Sequence, residues 1–123
     1  MDNLIIITNG FKNIGPSGYI IMEQVSEKIV AKYNTNYGTK ELMEYMGLVH
    51  AMGLVKKNSE YVKAITSNKN VYKMVKCNLD ITRDINITDE DVKHRIFKCM
   101  MFLTETKRLP RFEFRDKIAT PSN

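Results

Sequence analysis

The order of apolar and polar positions divides the chain into short strands followed by helices. Ile5, Ile6 and Ile7 predict a buried first strand over residues 3–8, which Asn9 and Gly10 close at the start of a hairpin. Residues 19–24 and 28–33 are short and rich in strand-forming side chains, and the turn-forming segment 15–18 precedes them. We therefore expect three antiparallel strands at the beginning of the fold.

The hydrophobic period changes after Thr39, which is the predicted N-cap of a long helix. This helix should end between residues 53 and 57, and residues 61–66 then form a fourth strand beside the first. A strand that follows a helical crossover in one sheet is normally parallel to its neighbour. The predicted inward stripe of the helix consists of Leu42, Tyr45, Met46, Val49 and Met52.

The second half of the chain predicts two further helices and one more strand. Residues 68–76 form a short helix capped near Ser67 and Asn68, and a polar loop covers residues 78–86. A helix begins near residues 88–91, where acidic residues favour its first turn, and Pro110 stops it. Residues 111–115 alternate as a fifth strand. We expect one domain over residues 1–119 and a short tail over 120–123.

Composition limits the class of protein. An apolar fraction of 43% and a charged fraction of 27%, with no apolar run near the roughly 18 residues of a membrane span, predict a soluble domain without a membrane partner. Cys77 and Cys99 fit neither a disulfide framework nor a zinc motif, so we expect a cytoplasmic protein with reduced thiols. The net charge of +5 favours anionic partners.

Three short words and the element order resemble the RNase H-like (ribonuclease H) superfamily. In that family the first strand ends in T-D-G, the first long helix carries E-L-M, and the fourth strand ends in T-D-S with a valine beyond it. The resemblance implies an α/β fold with a mixed five-stranded sheet, three antiparallel strands and then parallel strands, flanked by helices. The matching words here are Thr8-Asn9-Gly10, Glu41-Leu42-Met43 and Thr66-Ser67-Asn68, with Val71 in the valine position.

The resemblance also implies a degenerate catalytic site. The family's acidic positions hold two divalent metal ions that act on a phosphate. Glu41 matches the helix carboxylate, whereas Asn9 and Ser67 stand where the family has aspartates. We therefore expect no required cofactor, with only weak Mg²⁺ binding open to Glu41. Asn9 and Gly10 fit a relic of the catalytic turn and ordinary hairpin chemistry equally well.

Asp116 is the candidate for the fourth family carboxylate. Residues 113–119 match a family word at the start of a final helix, but residues 111–115 are also the best fifth strand. Too few residues follow Asp116 to build both elements, and we favour the strand. Asp116 would then be a strand-end residue and not a metal ligand.

Two groups of basic residues suggest a surface that follows a phosphate backbone. The main prediction is a catalytically inactive RNase H-like domain that binds nucleic acid, either an RNA/DNA hybrid or a structured RNA. The alternatives are a protein-binding accessory subunit or small viral or phage inhibitor of a host machine, and a weak residual metal-dependent ribonuclease H. The predicted nucleic-acid-binding residues are Lys56, Lys57, Lys63, Lys69, Lys73, Lys76, Arg111 and Arg115.

Overall fold

A computed structural model of the chain describes residues 4–83 and 87–116. Within these ranges the chain forms five strands and three helices. In chain order they are β1 (Leu4–Lys12), β2 (Ser17–Glu23), β3 (Ile29–Thr35), α1 (Lys40–Lys57), β4 (Tyr61–Thr66), α2 (Lys69–Lys76), α3 (Glu90–Glu105) and β5 (Phe112–Phe114).

The strands form one mixed sheet in the order β3-β2-β1-β4-β5. The first three strands are antiparallel, β4 is parallel to β1, and β5 is parallel to β4. The predicted fold class is therefore confirmed. The helix α1 connects β3 to β4, lies across one face of the sheet and packs on β1, β2 and β4.

The first hairpin differs from the prediction. Asn9 and Gly10 do not close β1, which continues to Lys12, and the turn lies at residues 13–16, where the Asn13 N–H donates to the Pro16 oxygen at 2.8 Å. Gly10 has a packing role instead. A Cβ atom at Gly10 would lie 2.4 Å from the backbone nitrogen of Glu44. The absence of a side chain at Gly10 therefore allows α1 to lie close to β1.

The predicted N-cap of α1 is confirmed, since the Thr39 hydroxyl accepts a hydrogen bond from the Leu42 N–H at 3.1 Å. Burial extends well beyond the predicted stripe and includes every residue from Leu42 to Val49. The reason is that the sheet covers one side of α1, while α2 and α3 contact other sides. Residues of α1 therefore form the centre of the hydrophobic core.

The remaining elements follow the predicted order with small changes at their ends. Asn68 caps α2, and Asp89, within the predicted start at residues 88–91, caps α3. Strand β5 covers three residues inside the predicted range 111–115, and Asp116 follows it. The predicted domain end at residue 119, the tail and part of the polar loop lie outside the described residues. In the described part of the chain, no helix combines the length and apolar character needed to cross a membrane.

Candidate nucleic-acid interface

One edge of the sheet gathers the ends of several elements. Strands β1, β4 and β5 run in the same direction, so their carboxyl ends lie along this edge, and α1 and α2 both begin there. We call it the carboxyl edge. In open α/β sheets, ligands bind outside the carboxyl ends of the strands. Three of the sequence-predicted site residues, Asn9, Ser67 and Asp116, are exposed on this edge.

Glu44 of α1 joins the two central parallel strands at the carboxyl edge. Its side chain is buried, with 3% of the residue exposed. The Gly10 N–H donates to Oε1 at 2.6 Å, and the Thr66 hydroxyl donates to Oε2 at 2.7 Å. Each donor is the sequence neighbour of a predicted site residue, Asn9 or Ser67. The α1 carboxylate that contacts the ends of β1 and β4 is therefore that of Glu44.

Burial raises the pKa of the Glu44 carboxyl above its ordinary value. The hydrogen bonds from Gly10 and Thr66 and the positive charge of Lys40 act in the opposite direction. Thr8, two residues before Gly10 in β1, is also buried, and its hydroxyl lacks a hydrogen bond within the described ranges. Glu44 is thus a structural acceptor whose two oxygens are both engaged by protein donors.

Glu41, the carboxylate selected from the sequence, occupies a different position. It lies three residues before Glu44, about one helical turn, and it is half-buried. It lines a separate cavity of about 280 Å³ with Asp80 and Ile81. No hydrogen bond or ion pair of the described chain joins it to Asn9 or Ser67. Glu41 therefore does not supply the α1 carboxylate that contacts the ends of β1 and β4, which is that of Glu44.

These residues do not fit the paired divalent metal ions that the family resemblance implies. Asn9 and Ser67 are neutral, and both oxygens of Glu44 accept hydrogen bonds from the chain itself. Paired cations need several anionic oxygens to offset their repulsion. Among residues 4–83 and 87–116, no group of three or more His, Cys, Asp or Glu side chains could hold a metal ion.

The predicted basic residues fall into three separate groups. Lys69, Lys73 and Lys76 are exposed on α2, at spacings of four and three residues that place them on one side of the helix. Lys56 and Lys57 lie in the last turn of α1, which ends at the opposite edge of the sheet. The third group, Lys63, Arg111 and Arg115, surrounds Glu113.

The third group lies on the face of the sheet opposite α2. Tyr72 of α2 packs against Phe112 and Phe114, with ring centroids 5.3 and 6.3 Å apart. Side chains alternate along a strand, so Glu113 between those phenylalanines points to the other face. There its Oε1 accepts a hydrogen bond from the Lys63 ammonium at 2.9 Å. The eight predicted cations therefore do not form one continuous groove.

Sequence reasoning missed three polar side chains at the carboxyl edge: Glu44, Lys12 and Lys40. Lys12 ends β1 and donates to the Gly38 oxygen at 2.8 Å, and Lys40 begins α1. One signal was available for Glu44, because it is the only ionisable carboxylate in the otherwise apolar stretch from Leu42 to Val49. A lone acid inside a buried helical stretch must be satisfied by specific donors, and that requirement could have identified it.

The strand order, the strand directions and the helix that connects β3 to β4 define an RNase H-like α/β fold. The chain is similar to the structure of LC11-RNase H1, isolated from compost by a metagenomic approach, with 15% identity, a TM-score of 0.55 and coverage of 95% of this chain and 86% of that one. It is also similar to the foamy viral protease-reverse transcriptase in complex with dsDNA, with 16% identity, a TM-score of 0.56 and coverage of 93% and 81%. No protein-family model matches the chain, and no curated protein matches it.

Proposed function

We propose that the protein is a catalytically inactive RNase H-like domain that binds nucleic acid through phosphate contacts at the carboxyl edge. The observation that carries the proposal is the exposed row of lysines on α2, which starts directly after Ser67. The preferred ligand is an RNA/DNA hybrid or a structured RNA, because contacts to phosphates depend on backbone shape more than on sequence.

The first turn of α2 suits a phosphate group. Asn68 caps the helix through the Val71 N–H at 3.0 Å, and the first turn contains Lys69 and no acidic residue. Unsatisfied N–H groups and the helix dipole favour an anion at such an end. Lys73 continues the positive row by one turn, and Lys12 and Lys40 lie on the same edge. A backbone that follows this edge would therefore meet positive charge from three elements.

The donor set at the edge favours binding over hydrolysis. Metal-assisted cleavage of a phosphodiester needs anionic ligands that hold the ions next to the scissile phosphate. Here the exposed positions are Asn9 and Ser67, which donate or accept hydrogen bonds without charge. They can contact phosphate or ribose oxygens, and they do not repel a polyanion as aspartates would. The similarity to a reverse-transcriptase structure containing dsDNA supports the proposal by analogy of fold.

The first prediction concerns Lys69 and Lys73. Replacing both with Glu should weaken binding to a hybrid, a duplex RNA and a single strand by similar factors, because phosphate contacts carry little sequence information. The measurement is a gel shift or fluorescence anisotropy at two salt concentrations. Lys28→Glu with Lys32→Glu, an identical charge change at exposed positions in or beside β3, is the matched control and should have a smaller effect. Failure of the wild-type protein to bind all three ligands near about 0.15 M salt would contradict the proposal.

The second prediction concerns catalysis and metal. The wild-type protein should not cleave a labelled hybrid with Mg²⁺ or Mn²⁺, because the edge lacks two of the carboxylates that would hold the ions. Asn9→Asp combined with Ser67→Asp should increase Mg²⁺ affinity measured by calorimetry. Adding Glu41→Gln to that double variant should not remove the gain, because no hydrogen bond or ion pair of the described chain joins Glu41 to Asn9 or Ser67. Cleavage by the wild-type protein, or dependence of the gain on Glu41, would overturn this account of the site.

A protein-binding role is the second candidate, and α3 carries the observation that favours it. Phe97 and Met101 are 63% and 45% exposed, and their spacing of four residues places them side by side on the helix. Exposed apolar neighbours of this kind are typical of contact sites for another protein. If this role is correct, Phe97→Ser should abolish binding of the partner protein. The wild-type protein should then fail to bind nucleic acid.

A further inference from the structure

A cavity of about 400 Å³ lies between the second half of α1 and the middle of α3. Its volume falls within the usual range of small-molecule sites. The walls are mainly apolar and include Met46, Val49, Leu54 and Phe102. Methionine adapts its shape to a ligand more easily than branched side chains do. The cavity can therefore accept a flat apolar group of one or two rings.

Three cations line the same cavity: Lys57, Arg95 and Lys98. Arg95 is held in place, with its guanidinium carbon 4.0 Å from the centroid of the Tyr33 ring and its Nε 3.4 Å from Asp91 Oδ2. The Asp91 carboxylate also accepts a hydrogen bond from the Tyr33 hydroxyl at 2.6 Å. Among the described residues, the lining itself contains no carboxylate. Because Asp91 offsets part of the Arg95 charge, the positive character of the cavity comes mainly from Lys57 and Lys98.

The floor of the cavity presents a pair of neutral polar groups. The Tyr19 hydroxyl and His50 Nδ1 are 2.7 Å apart. Burial lowers the pKa of His50, and the charges of Arg95 and Lys57 lower it further. Burial raises the pKa of Tyr19 to about 12, so the phenol keeps its proton beside His50 Nδ1. A neutral imidazole and a phenol each carry one hydrogen-bond donor and one acceptor, so the pair adds polar groups without charge to the cavity.

Two glycines of α1 differ in what surrounds them, and only Gly53 lines the cavity. A Cβ atom at Gly47 would lie 2.6 Å from Thr8 Cγ2, so close packing on the sheet explains that glycine. A Cβ atom at Gly53 would meet nothing within 4 Å, although glycine inside a helix costs roughly 0.5–1 kcal/mol relative to alanine. Gly53 lines the cavity, and its missing side chain leaves that space open.

We propose that this cavity binds a small aromatic anion, with its rings against the apolar walls and its anionic group beside Lys57, Arg95 and Lys98. Three cations without a lining carboxylate select a carboxylate, sulfonate or phosphate group over a neutral or positive one. This site lies between α1 and α3, away from the start of α2, and it does not depend on the proposed nucleic-acid function.

The test uses 8-anilinonaphthalene-1-sulfonate as the probe and N-phenyl-1-naphthylamine as its neutral counterpart. The sulfonate should bind the folded protein with one-to-one stoichiometry, measured by fluorescence and calorimetry. The neutral compound should bind about tenfold more weakly, because it cannot use the three cations. Lys57→Gln with Lys98→Gln should reduce sulfonate affinity by a similar factor without changing the affinity for the neutral compound.

Gly53→Phe fills the cavity and should weaken sulfonate binding by at least about tenfold, whereas Phe97→Ser, outside the lining, should not. Circular dichroism and nucleic-acid affinity of Gly53→Phe should match the wild-type protein. If Gly53→Phe does not fold, the lysine double variant still decides. Absence of sulfonate binding, equal affinity for the two compounds, or loss of binding through Phe97→Ser instead of the cavity variants would overturn the proposal.

Discussion

Glu44 is the residue on which the junction of β1, α1 and β4 depends. Its carboxyl group is buried and accepts hydrogen bonds from Gly10 and Thr66, but in the described chain no ion pair compensates its charge. Hydrogen bonds to the ionised form offset only part of the cost of burying a charge. An amide in the same place would keep an acceptor for Gly10 and offer a donor to Thr66, without the charge.

Glu44→Gln should therefore stabilise the protein at neutral pH, by about 1 kcal/mol per unit of pKa increase in the wild-type carboxyl. The folded-state pKa is raised above the ordinary value of 4.5. Stability associated with the protonated group is fully present below that ordinary value and is lost as pH rises through the folded-state pKa. The advantage of Gln should thus be smallest near pH 4, increase with pH and then level off, as urea unfolding can measure.

Two companion variants separate charge from hydrogen bonding at this position. Glu44→Ala leaves the Gly10 N–H and the Thr66 hydroxyl without their acceptor and should cost about 2–4 kcal/mol near pH 4. The cost should decrease as pH rises, because alanine also removes the buried charge. Glu41→Gln, one turn away and half-buried, should not reproduce the pH-dependent gain. A wild-type protein that is more stable than Glu44→Gln at pH 7 would show that the hydrogen bonds outweigh the burial of the charge.

At the scale of elements, periodicity predicted the order and type of all described strands and helices, because each buries one face or stripe. Two features of the site depended on close approach between distant elements and were not predictable in that way. An Asn-Gly pair alone favours a turn, but Gly10 lies within β1. Its lack of a side chain allows α1 to cross the strand closely. Glu44 was missed because local matching of three letters cannot show which helical turn faces the strand ends.

The same close approach gives opposite predictions for two glycines of α1. Gly47→Ala should destabilise the protein by about 1–3 kcal/mol, since the new methyl group would overlap Thr8 and Tyr19. Gly53→Ala should stabilise it by about 0.5–1 kcal/mol, because alanine improves helix propensity and meets open space. Chemical denaturation of both variants provides the comparison. Equal effects of the two substitutions would contradict the described packing of α1 on the sheet.

For the whole molecule, the sheet separates charges that are close together in the sequence. Lys63 and Lys69 are six positions apart, yet Lys63 pairs with Glu113 on one face while Lys69 begins the helix on the other. The basic runs were therefore predictable as surface residues, but their division into three groups was not. That division follows from strand alternation and from the direction in which each helix leaves the sheet.

The salt dependence of nucleic-acid binding should reflect this separation. Replacing Lys69 and Lys73 with Gln should reduce the slope of log affinity against log salt by about 0.9 for each lost phosphate contact on a duplex. Replacing Lys56 and Arg111 with Gln removes the same charge outside the α2 row, at the last turn of α1 and beside Glu113. That control should leave the slope nearly unchanged. Equal slopes for both double variants would indicate diffuse attraction to the net charge instead of a defined surface.

The central place of β1 in the sheet has a consequence for how the chain folds. Strand β1 pairs with β2 across a short hairpin, but its other neighbour is β4, where Leu4 lies opposite Tyr61. Contacts between such distant positions slow folding, because the intervening chain must first lose conformational entropy. During synthesis the three antiparallel strands can therefore assemble early, while the edge of β1 that pairs with residues 61–66 stays unpaired until those residues are made. Glu44 can accept hydrogen bonds from both Gly10 and Thr66 only after β4 has paired with β1.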